Sequence, residues 1–322
     1  MKWILVLLCA ALATGGNMVA AQSFPSKPIH VIVNFTPGGP TDLVARMLAP
    51  RMTLDFGQSV IVDNRPSANG VLGSEQAARS APDGHTLLFS TSSHTSLLAA
   101  LYGNKVTFDP FRDIAPISLL VVSSQMIVAH PSLGVKTIGD MVKLAKAKPN
   151  VLNFGTGGAG TANHLGIELI KVMAGVDIVH VPYKGIAQAT SDLLGGRVQL
   201  MLSSMASVLP YVKSGKLVAL AVGGAQRSPA APDIPTVAES GYPGYEVATW
   251  FAMFAPAATP REVIARLNTV CRQALDDPQN AKALAAQGAE PSGGTPEQLA
   301  RMMRDEYERW KKVIIAAKIE VD

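Results

Sequence analysis

Glycines, threonines and serines gather at the ends of predicted strands, where backbone amides and hydroxyls favour the binding of an anion. The first such segment, residues 34–42 (NFTPGGPTD), follows an apolar run and precedes a helical pattern of apolar residues. Its glycines let the backbone approach a ligand, and a helix start offers unpaired amide donors at the positive end of the helix dipole. An ordinary tight turn between strand and helix explains the segment equally well.

A second glycine-rich segment, residues 155–160 (GTGGAG), matches the dinucleotide-binding fingerprint in form. Asp177 lies roughly where the ribose-binding carboxylate is sought, but it begins the next predicted strand instead of ending it. Gly160 is followed directly by Thr161, where a phosphate-cradling loop would need a lysine. The segment therefore favours a second amide-rich carboxylate site over a nucleotide site.

Two hydroxyl-rich segments complete the set, residues 91–96 (TSSHTS) and the pair Ser203 and Ser204. Their hydroxyls would hydrogen-bond a carboxylate without adding net charge, although a solvated loop has the same composition. All four segments follow predicted strands, and open α/β sheets place their ligands at the carboxyl ends of strands. Together they predict a binding site for a small anion.

The first 21 residues are typical of a secretory signal peptide. Lys2 precedes an apolar run over residues 3–13, and small residues follow before an expected cleavage between Ala21 and Gln22. A membrane anchor would need about twenty apolar residues, and the stretch at residues 14–17 interrupts the run too early. We therefore expect the mature protein in the periplasm.

The residue types that catalysis or metal binding would need show no matching pattern. The six histidines form no His-Glu-x-x-His motif, no Gly-x-Ser-x-Gly turn occurs, and Cys271 is the single cysteine beyond the predicted leader. The net charge of +4 is scattered, which argues against nucleic acid. We predict no catalysis, no metal and no cofactor; a hydrolase with an unrecognised nucleophile and a scaffold or sensor subunit are the alternatives.

Short β-branched runs alternate with helix-period segments along most of the chain, which predicts an α/β fold with largely parallel sheets. Thr137, Thr259 and Thr295 are predicted helix caps. Because no polar linker divides the chain, we expect strands to cross between two domains near residues 123–126 and again near residues 247–251. The predicted strands are residues 29–35, 60–62, 86–90, 117–122, 126–129, 151–154, 178–181, 200–202 and 218–222.

Taken in order, many short segments resemble the solute-binding receptors of tripartite tricarboxylate transporters, the TctC or Bug family. The resemblance runs from about Pro25 to Asp322, and its specificity comes from the order of the matches. The matching segments are residues 25–29 (PSKPI), Phe35 with 37–42 (PGGPTD), 62–66 (VDNRP), 81–88 (APDGHTLL), 180–185 (HVPYKG), 192–196 (DLLGG) and 235–239 (PTVAE).

The resemblance implies a two-domain periplasmic-binding-protein fold, type II-like, with a ligand cleft between the domains. With the expected crossings, the first domain comprises residues 22–124 and 249–322, and the second comprises residues 125–248. The ligand would be a small organic carboxylate, and the partners would be permease subunits in the membrane, with a sensor kinase as a further candidate. The implied ligand-binding residues are Phe35, Pro37, Gly38, Gly39, Thr41, Asp42, Thr91, Ser92, Ser93, His94, Thr156, Gly158, Thr161, His164, Tyr183, Ser203 and Ser204.

Departures from the family pattern bear on the ligand and on the first loop. Many members carry aspartate just after the strand that matches residues 200–202, where it would pair an amino-acid ammonium; Ser203 and Ser204 stand here. This difference favours a mono- or dicarboxylic acid, aromatic acids included, over an amino acid. Asn34 and Thr36 replace prolines that often flank the residue matching Phe35, so we expect a different geometry in the first loop.

Overall fold

The computed structural model describes residues 24–38, 40–67, 70–183, 185–286 and 289–319, so the predicted signal peptide and Gly39 lie outside it. Within these ranges ten strands form one mixed sheet with helices packed against it. None of the helices in these ranges has the length and apolar content that crossing a membrane requires. The strands are β1 (Ile29–Val33), β2 (Val60–Asn64), β3 (Thr86–Thr91), β4 (Ile114–Ala129), β5 (Asn153–Thr156), β6 (Val179–Pro182), β7 (Leu200–Ser204), β8 (Val218–Val222), β9 (Ala248–Pro256) and β10 (Ala289–Pro291).

The helices cover the strands and carry the connections between parallel neighbours. Short 3₁₀ turns occupy Ser92–His94, Gly103–Lys105 and Pro131–Leu133. The helices are α1 (Pro40–Phe56), α2 (Val71–Ala78), α3 (Ser96–Tyr102), α4 (Ile138–Ala147), α5 (Ala162–Ala174), α6 (Ile186–Leu194), α7 (Met205–Lys213), α8 (Arg261–Leu275), α9 (Pro278–Ala286) and α10 (Pro296–Ala316).

Strand pairing divides the sheet into two halves. In the first half, β1 pairs in parallel with β2 and β3, and β9 pairs antiparallel with β3 and with the N-terminal part of β4. In the second half, β5 pairs in parallel with β6 and β7, while the C-terminal part of β4 pairs antiparallel with β7 and β8. Strand β10 pairs with β4 on the side of the first half. The prediction of largely parallel sheets is wrong for the centre of the sheet, where β4 and β9 pair antiparallel with their neighbours.

The crossing between the halves lies inside continuous strands. The sequence predicted two strands at residues 117–122 and 126–129, whereas β4 runs through both and through the residues between them. Ser123 pairs with Thr249 and Ser124 with Ala248, so β4 and β9 lie side by side at the crossing. Strand β9 was absent from the predicted strands because its sequence, ATWFAMFAP, has a single β-branched residue. The domain boundaries themselves stay predictions.

Two of the three predicted helix caps are confirmed. Thr137 and Thr295 each close a capping box, with Asp140 and Gln298 as the reciprocal partners. The prediction for Thr259 is wrong, because α8 begins at Arg261 and the Thr259 hydroxyl is buried without a hydrogen-bond partner. The Thr259 amide donates to Pro256 O at 3.0 Å, which places this residue in the preceding turn.

The C-terminal helix α10 packs against both halves. Its N-terminal part contributes Leu299 and Met303 to a core cluster with strands of the first half. Its C-terminal part contributes Trp310 and Val313 to the main core of the second half. Complete burial of an apolar side chain contributes about 1.5–3 kcal/mol. Burial of these four side chains therefore stabilises the packing of the helix on both halves.

Candidate functional site

The pairing register places the predicted site segments next to one another within each half of the sheet. Because β1 and β3 are parallel neighbours, residues 34–38 and 91–94 leave the sheet side by side. In the second half, Thr156 is in register with Pro182, so the loops after β5 and β6 are also adjacent. Ser204, at the end of β7, pairs with Gln125 on β4. Each half therefore presents its segments at the carboxyl ends of parallel strands, where ligands bind in such sheets.

Asp42 shapes the first loop from within. Its Oδ2 accepts from Gly38 N at 2.9 Å, and its Oδ1 accepts from Arg46 Nε and from Asn64 Nδ2, both at 2.9 Å. Burial raises the pKa of the Asp42 carboxyl, but the hydrogen bonds from Arg46, Gly38 and Asn64 outweigh it and lower the pKa. Both oxygens are engaged and the charge is balanced, so this carboxylate holds the turn in place.

The surface of the first loop is open to solvent. Thr36, Pro37 and Gly38 are exposed, whereas Thr41 is buried at the start of α1. Gly38 has a φ of +78°, a left-handed conformation that glycine adopts without strain. The loop thus combines a glycine turn, an open face and a helix start, as an anion site requires.

Phe35 and His94 form a stacked pair beside this loop, with ring centroids 4.2 Å apart and planes 18° from parallel. Burial lowers the pKa of His94 to about 4, so the imidazole is neutral at physiological pH. Gly70, at φ +67°, lies against the pair: a Cβ there would come within 2.5 Å of His94 Nδ1. One face of the Phe35 ring is therefore already occupied by His94.

Four buried polar atoms in the segments that follow β1 and β3 have no hydrogen-bond partner. At Asn34, the neighbouring hydrogen bonds explain why the side-chain oxygen is unpaired. Ser74 Oγ donates to Gly70 O at 2.9 Å, and Ser74 Oγ therefore accepts from Asn34 Nδ2 at 2.9 Å. The amide nitrogen also lies 3.0 Å from Ser90 Oγ, which leaves Asn34 Oδ1 unpaired. The four atoms are Asn34 Oδ1, Thr91 Oγ1, Ser92 Oγ and His94 Nδ1.

Thr156 organises the glycine-rich loop of the second half. Its Oγ1 accepts from Gly158 N at 3.2 Å and lies 2.7 Å from His180 Nε2. Thr161 caps α5 by accepting from His164 N at 3.4 Å, and its own hydroxyl donates to Gly158 O at 2.8 Å. Gly158 has a φ of +132°, which a side chain would strain. Every predicted site residue of this loop is thus hydrogen-bonded within it.

Two stacked histidines support this loop. The rings of His164 and His180 lie 3.8 Å apart, and His164 Nδ1 accepts from Gly160 N at 3.1 Å. Burial, together with the charge of His164, lowers the pKa of His180 to about 4. Glu168 lies 3.6 Å from His164 Nε2 and accepts from Lys171 Nζ at 2.7 Å. Because Nδ1 accepts a backbone bond, His164 serves to hold the loop.

The remaining predicted residues differ in availability. The Tyr183 hydroxyl donates to Asp192 Oδ2 at 2.8 Å, so it is already engaged. Ser203 is 1% exposed, whereas Ser204 and Ser93 are half-buried at the edge of their loops. Which of these residues touch a ligand stays a prediction.

Sequence reasoning missed three polar residues at the crossing. Gln125 Nε2 donates to Thr249 Oγ1 at 3.0 Å, and Asn163 Nδ2 donates to Leu202 O at 2.7 Å and to Gln125 Oε1 at 3.4 Å. Asn163 could have been identified from the sequence, because it lies in the first turn of the helix that follows the glycine-rich segment. Gln125 and Thr249 carry no local signal, since their bond spans 124 residues of sequence.

Asp42 is the one carboxylate among the predicted site residues, and Arg46 balances its charge. Backbone amides and helix starts are therefore the groups that can oppose a ligand's negative charge. Among the described residues, no three histidine, cysteine, aspartate or glutamate side chains are grouped as the ligands of a metal ion would be. The arrangement suits reversible binding of a small anion.

Comparison with known proteins identifies the family. The family described as the tripartite tricarboxylate transporter family receptor, TctC, matches residues 44–319. Protein BugT of Bordetella pertussis is 37% identical over 316 residues, which cover 98% of this chain and 97% of BugT. The structure of R. palustris Rpa4515 with adipate is 34% identical with a TM-score of 0.77, covering 92% of this chain and 99% of that protein. The structure of MatC from Rhodopseudomonas palustris with bound malate is 31% identical with a TM-score of 0.75, covering 90% and 100%.

These likenesses confirm the predicted α/β periplasmic-binding-protein fold. In the strand order found here, two sets of parallel strands meet at the antiparallel pair β4 and β9. The chain belongs to the tripartite tricarboxylate transporter receptor family, TctC, a family of periplasmic solute-binding proteins.

Proposed function

We propose that the protein captures a small organic mono- or dicarboxylate between its two halves and delivers it to permease subunits in the membrane. The observation that carries this proposal is the paired construction of the site. Each half turns from a parallel strand into a helix through a positive-φ glycine, Gly38 in one and Gly158 in the other. Two helix starts then offer amide donors to a ligand between them.

Closure around the ligand follows from this arrangement. The predicted domains, residues 22–124 with 249–322 and residues 125–248, would move about the crossing in β4 and β9. A ligand that contacts both loops binds the closed state more tightly than the open one, and this difference in affinity shifts the population toward closure. The permease would then receive the closed, loaded form.

The neutral side chains at the ends of β3 and β7 support an acid without an ammonium group. Relatives of this chain have been solved with adipate and with malate, which makes aliphatic dicarboxylates the first compounds to test. Aromatic acids belong in the same panel, although one face of Phe35 is covered by His94. The relatives point to transport, and a sensor kinase stays a prediction from the sequence.

Thermal unfolding of the purified protein against a panel of aliphatic and aromatic carboxylates and amino acids tests the ligand class. A carboxylate at a hundredfold excess over its dissociation constant should raise the free energy of unfolding by about 2.7 kcal/mol. Mass spectrometry of any acid retained through purification gives an independent identification. No stabilisation by any acid, together with chemical conversion of one of them, would contradict the receptor function.

Matched glycine variants test whether the two turns hold the ligand. Gly38→Ala and Gly57→Ala both place a side chain at positive φ in open space, at opposite ends of α1. Gly158→Ala and Gly175→Ala are the corresponding variants around α5, where φ is +132° at Gly158 and +62° at Gly175. We expect Gly38→Ala and Gly57→Ala to lose similar stability and Gly158→Ala to lose more than Gly175→Ala. A tenfold or larger loss of affinity is expected only for Gly38→Ala and Gly158→Ala.

Delivery is tested separately by uptake. Cells that express the cognate permease should take up the identified acid only when the receptor is present. Uptake that does not depend on the receptor would leave carboxylate binding intact and remove the proposed delivery.

A further inference from the structure

Thr249 and Trp250 occupy the centre of the crossing on β9. Successive side chains of a strand point to opposite faces of the sheet, so these two residues reach into different surroundings. Thr249 pairs in register with Ser123, and Trp250 pairs with Val122. Both side chains make a hydrogen bond to a buried polar group that also contacts the start of a helix beside the site, α5 in one case and α3 in the other.

On one face, Gln125 connects Thr249 with the second ligand loop. Gln125 is 4% exposed; its Nε2 donates to Thr249 Oγ1 at 3.0 Å and its Oε1 accepts from Asn163 Nδ2 at 3.4 Å. Asn163 lies two residues after Thr161, the cap of α5. The Gln125 carbonyl accepts from Gly223 N at 2.7 Å, which fixes the backbone from which this side chain projects.

On the other face, Glu306 of α10 connects Trp250 with the start of α3, which directly follows the segment after β3. Glu306 Oε2 accepts from Trp250 Nε1 at 2.9 Å and from the hydroxyl of Ser96. Ser96 begins α3, directly after a loop in which Thr95 Oγ1 donates to Thr91 O at 2.9 Å. Glu306 is 5% exposed and cannot itself reach a ligand in the cleft.

We propose that Gln125 and Glu306 are positioning residues that couple the two ligand loops to the hinge at Thr249 and Trp250. The inference rests on the proposed receptor function, because it explains how ligand binding at either loop would change the conformation of the crossing. A change in the α5 start moves Asn163 and with it Gln125; a change in the loop after β3 moves Ser96 and with it Glu306. Neither residue touches the ligand, so their loss separates binding from closure.

Gln125→Met is the first test, since it removes both side-chain hydrogen bonds while keeping a similar volume. With malate and adipate as probes, we expect affinity to fall at least about fivefold, since the loss of one ordinary hydrogen bond alone produces about that factor. The ligand-induced decrease in the radius of gyration, measured by small-angle scattering, should shrink or vanish. Gln199→Met, which loses a bond to Asn153 N in the same half, is the matched control and should close normally.

Thr249 allows the same bond to be broken from its other end. Thr249→Val removes the acceptor for Gln125, whereas Thr249→Ser retains it and should restore closure to the wild-type amplitude. A structural role alone would lower the melting temperature of Gln125→Met and Thr249→Val and leave the closure amplitude unchanged. That result would overturn the coupling.

Amide hydrogen exchange of the ligand-free protein decides the coupling without any ligand. In Gln125→Met we expect faster exchange at residues 157–164 and 248–251 together, and in Glu306→Leu faster exchange at residues 91–96 and 248–251. Glu306→Gln keeps an acceptor for Trp250 and should behave as the wild type. Faster exchange that is confined to the substituted segment would overturn the proposal. Failure of every acid to bind the wild-type protein would instead overturn the receptor function alone.

Discussion

The two ligand loops differ in how completely their buried polar groups are paired. In the second half, the hydroxyls of Thr156 and Thr161 and the ring of His164 hold the backbone of residues 158–160 through hydrogen bonds. In the first half, the segments that follow β1 and β3 bury four polar atoms without partners, on Asn34, Thr91, Ser92 and His94. One loop is organised before a ligand arrives, and the other carries unmet hydrogen-bonding capacity.

This difference assigns distinct parts to the two loops. An unpaired buried polar group costs about 1–3 kcal/mol, so the segments after β1 and β3 would gain free energy from any rearrangement that gives these four atoms hydrogen-bond partners. The side chains of Thr156, Thr161 and His164 in the second loop are already hydrogen-bonded, so ligand binding gains no such free energy there. This loop is preorganised, so binding does not have to order it. We expect the ligand to dock on the second loop and the first loop to adapt around it.

The largest effect is expected from Thr156→Val. Removing the hydroxyl leaves Gly158 N and His180 Nε2 without their partner, which should lower the free energy of unfolding by about 2 kcal/mol. Affinity for malate or adipate should fall at least tenfold by calorimetry. Thr190→Val makes the same chemical change within α6, where Oγ1 bonds Ile186 O at 2.9 Å, and should leave affinity unchanged. Equal losses of affinity would show that the second loop is not specially organised.

Thr91→Val should lower the affinity for the ligand without lowering the stability of the ligand-free protein. Its hydroxyl is buried without a partner, so the ligand-free protein should keep its stability or gain up to about 1 kcal/mol. Affinity should fall several-fold if the orphan is satisfied on binding. The control is Thr95→Val, which loses the bond to Thr91 O and should destabilise the protein in chemical denaturation. Similar destabilisation by both substitutions would remove the contrast between the loops.

Acid should destabilise both halves through two half-buried histidines, His94 and His180. The pKa values of His94 and His180 are lowered from 6.5 to about 4, so between these pH values the unfolded chain binds protons that the folded protein does not. Stability therefore falls as pH falls through this window. His94→Gln and His180→Gln should each flatten the dependence of the denaturation midpoint on pH.

Salt should distinguish the two histidines. The pKa of His94 is lowered by burial alone, whereas that of His180 is lowered by burial and also by the charges of His164 and Lys171, with Glu168 opposing them. High salt screens charges, so it should reduce the contribution of His180 and leave that of His94. An equal response to salt would contradict this assignment.

Tyr183→Phe should have the smallest effect. The hydroxyl donates to Asp192, which also accepts from Arg197 Nη1 at 2.8 Å, so the carboxylate keeps one partner. We expect affinity within threefold of the wild type. Tyr245→Phe, which loses a fully buried bond to Gly166 O, should destabilise the protein more without altering binding. A tenfold loss of affinity in Tyr183→Phe would place this hydroxyl on the ligand.

Local signals explain why the site segments could be located from the sequence. A β-branched run, a glycine turn and a capped helix lie within some ten residues of each other, so residues 34–42 and 155–161 were recognisable. Dependence on local signals also explains the error at Thr259. Its sequence has the pattern of a helix cap, but its backbone amide bonds Pro256 O in the preceding turn and the helix begins only at Arg261. The crossing was expected at residues 123–126 and 247–251, but the continuity of β4 was not.

The sequence by itself determined the alternation of strands and helices, the glycine turns at strand ends and the family to which the chain belongs. Only the tertiary structure decided which polar groups are paired and which are orphans. The bond between Ser96 and Glu306 joins residues 210 positions apart, and the one between Gln125 and Thr249 joins residues 124 apart. The physical reason is that a buried polar side chain takes its partner from whatever the packed sheet brings beside it, and no local pattern records that choice.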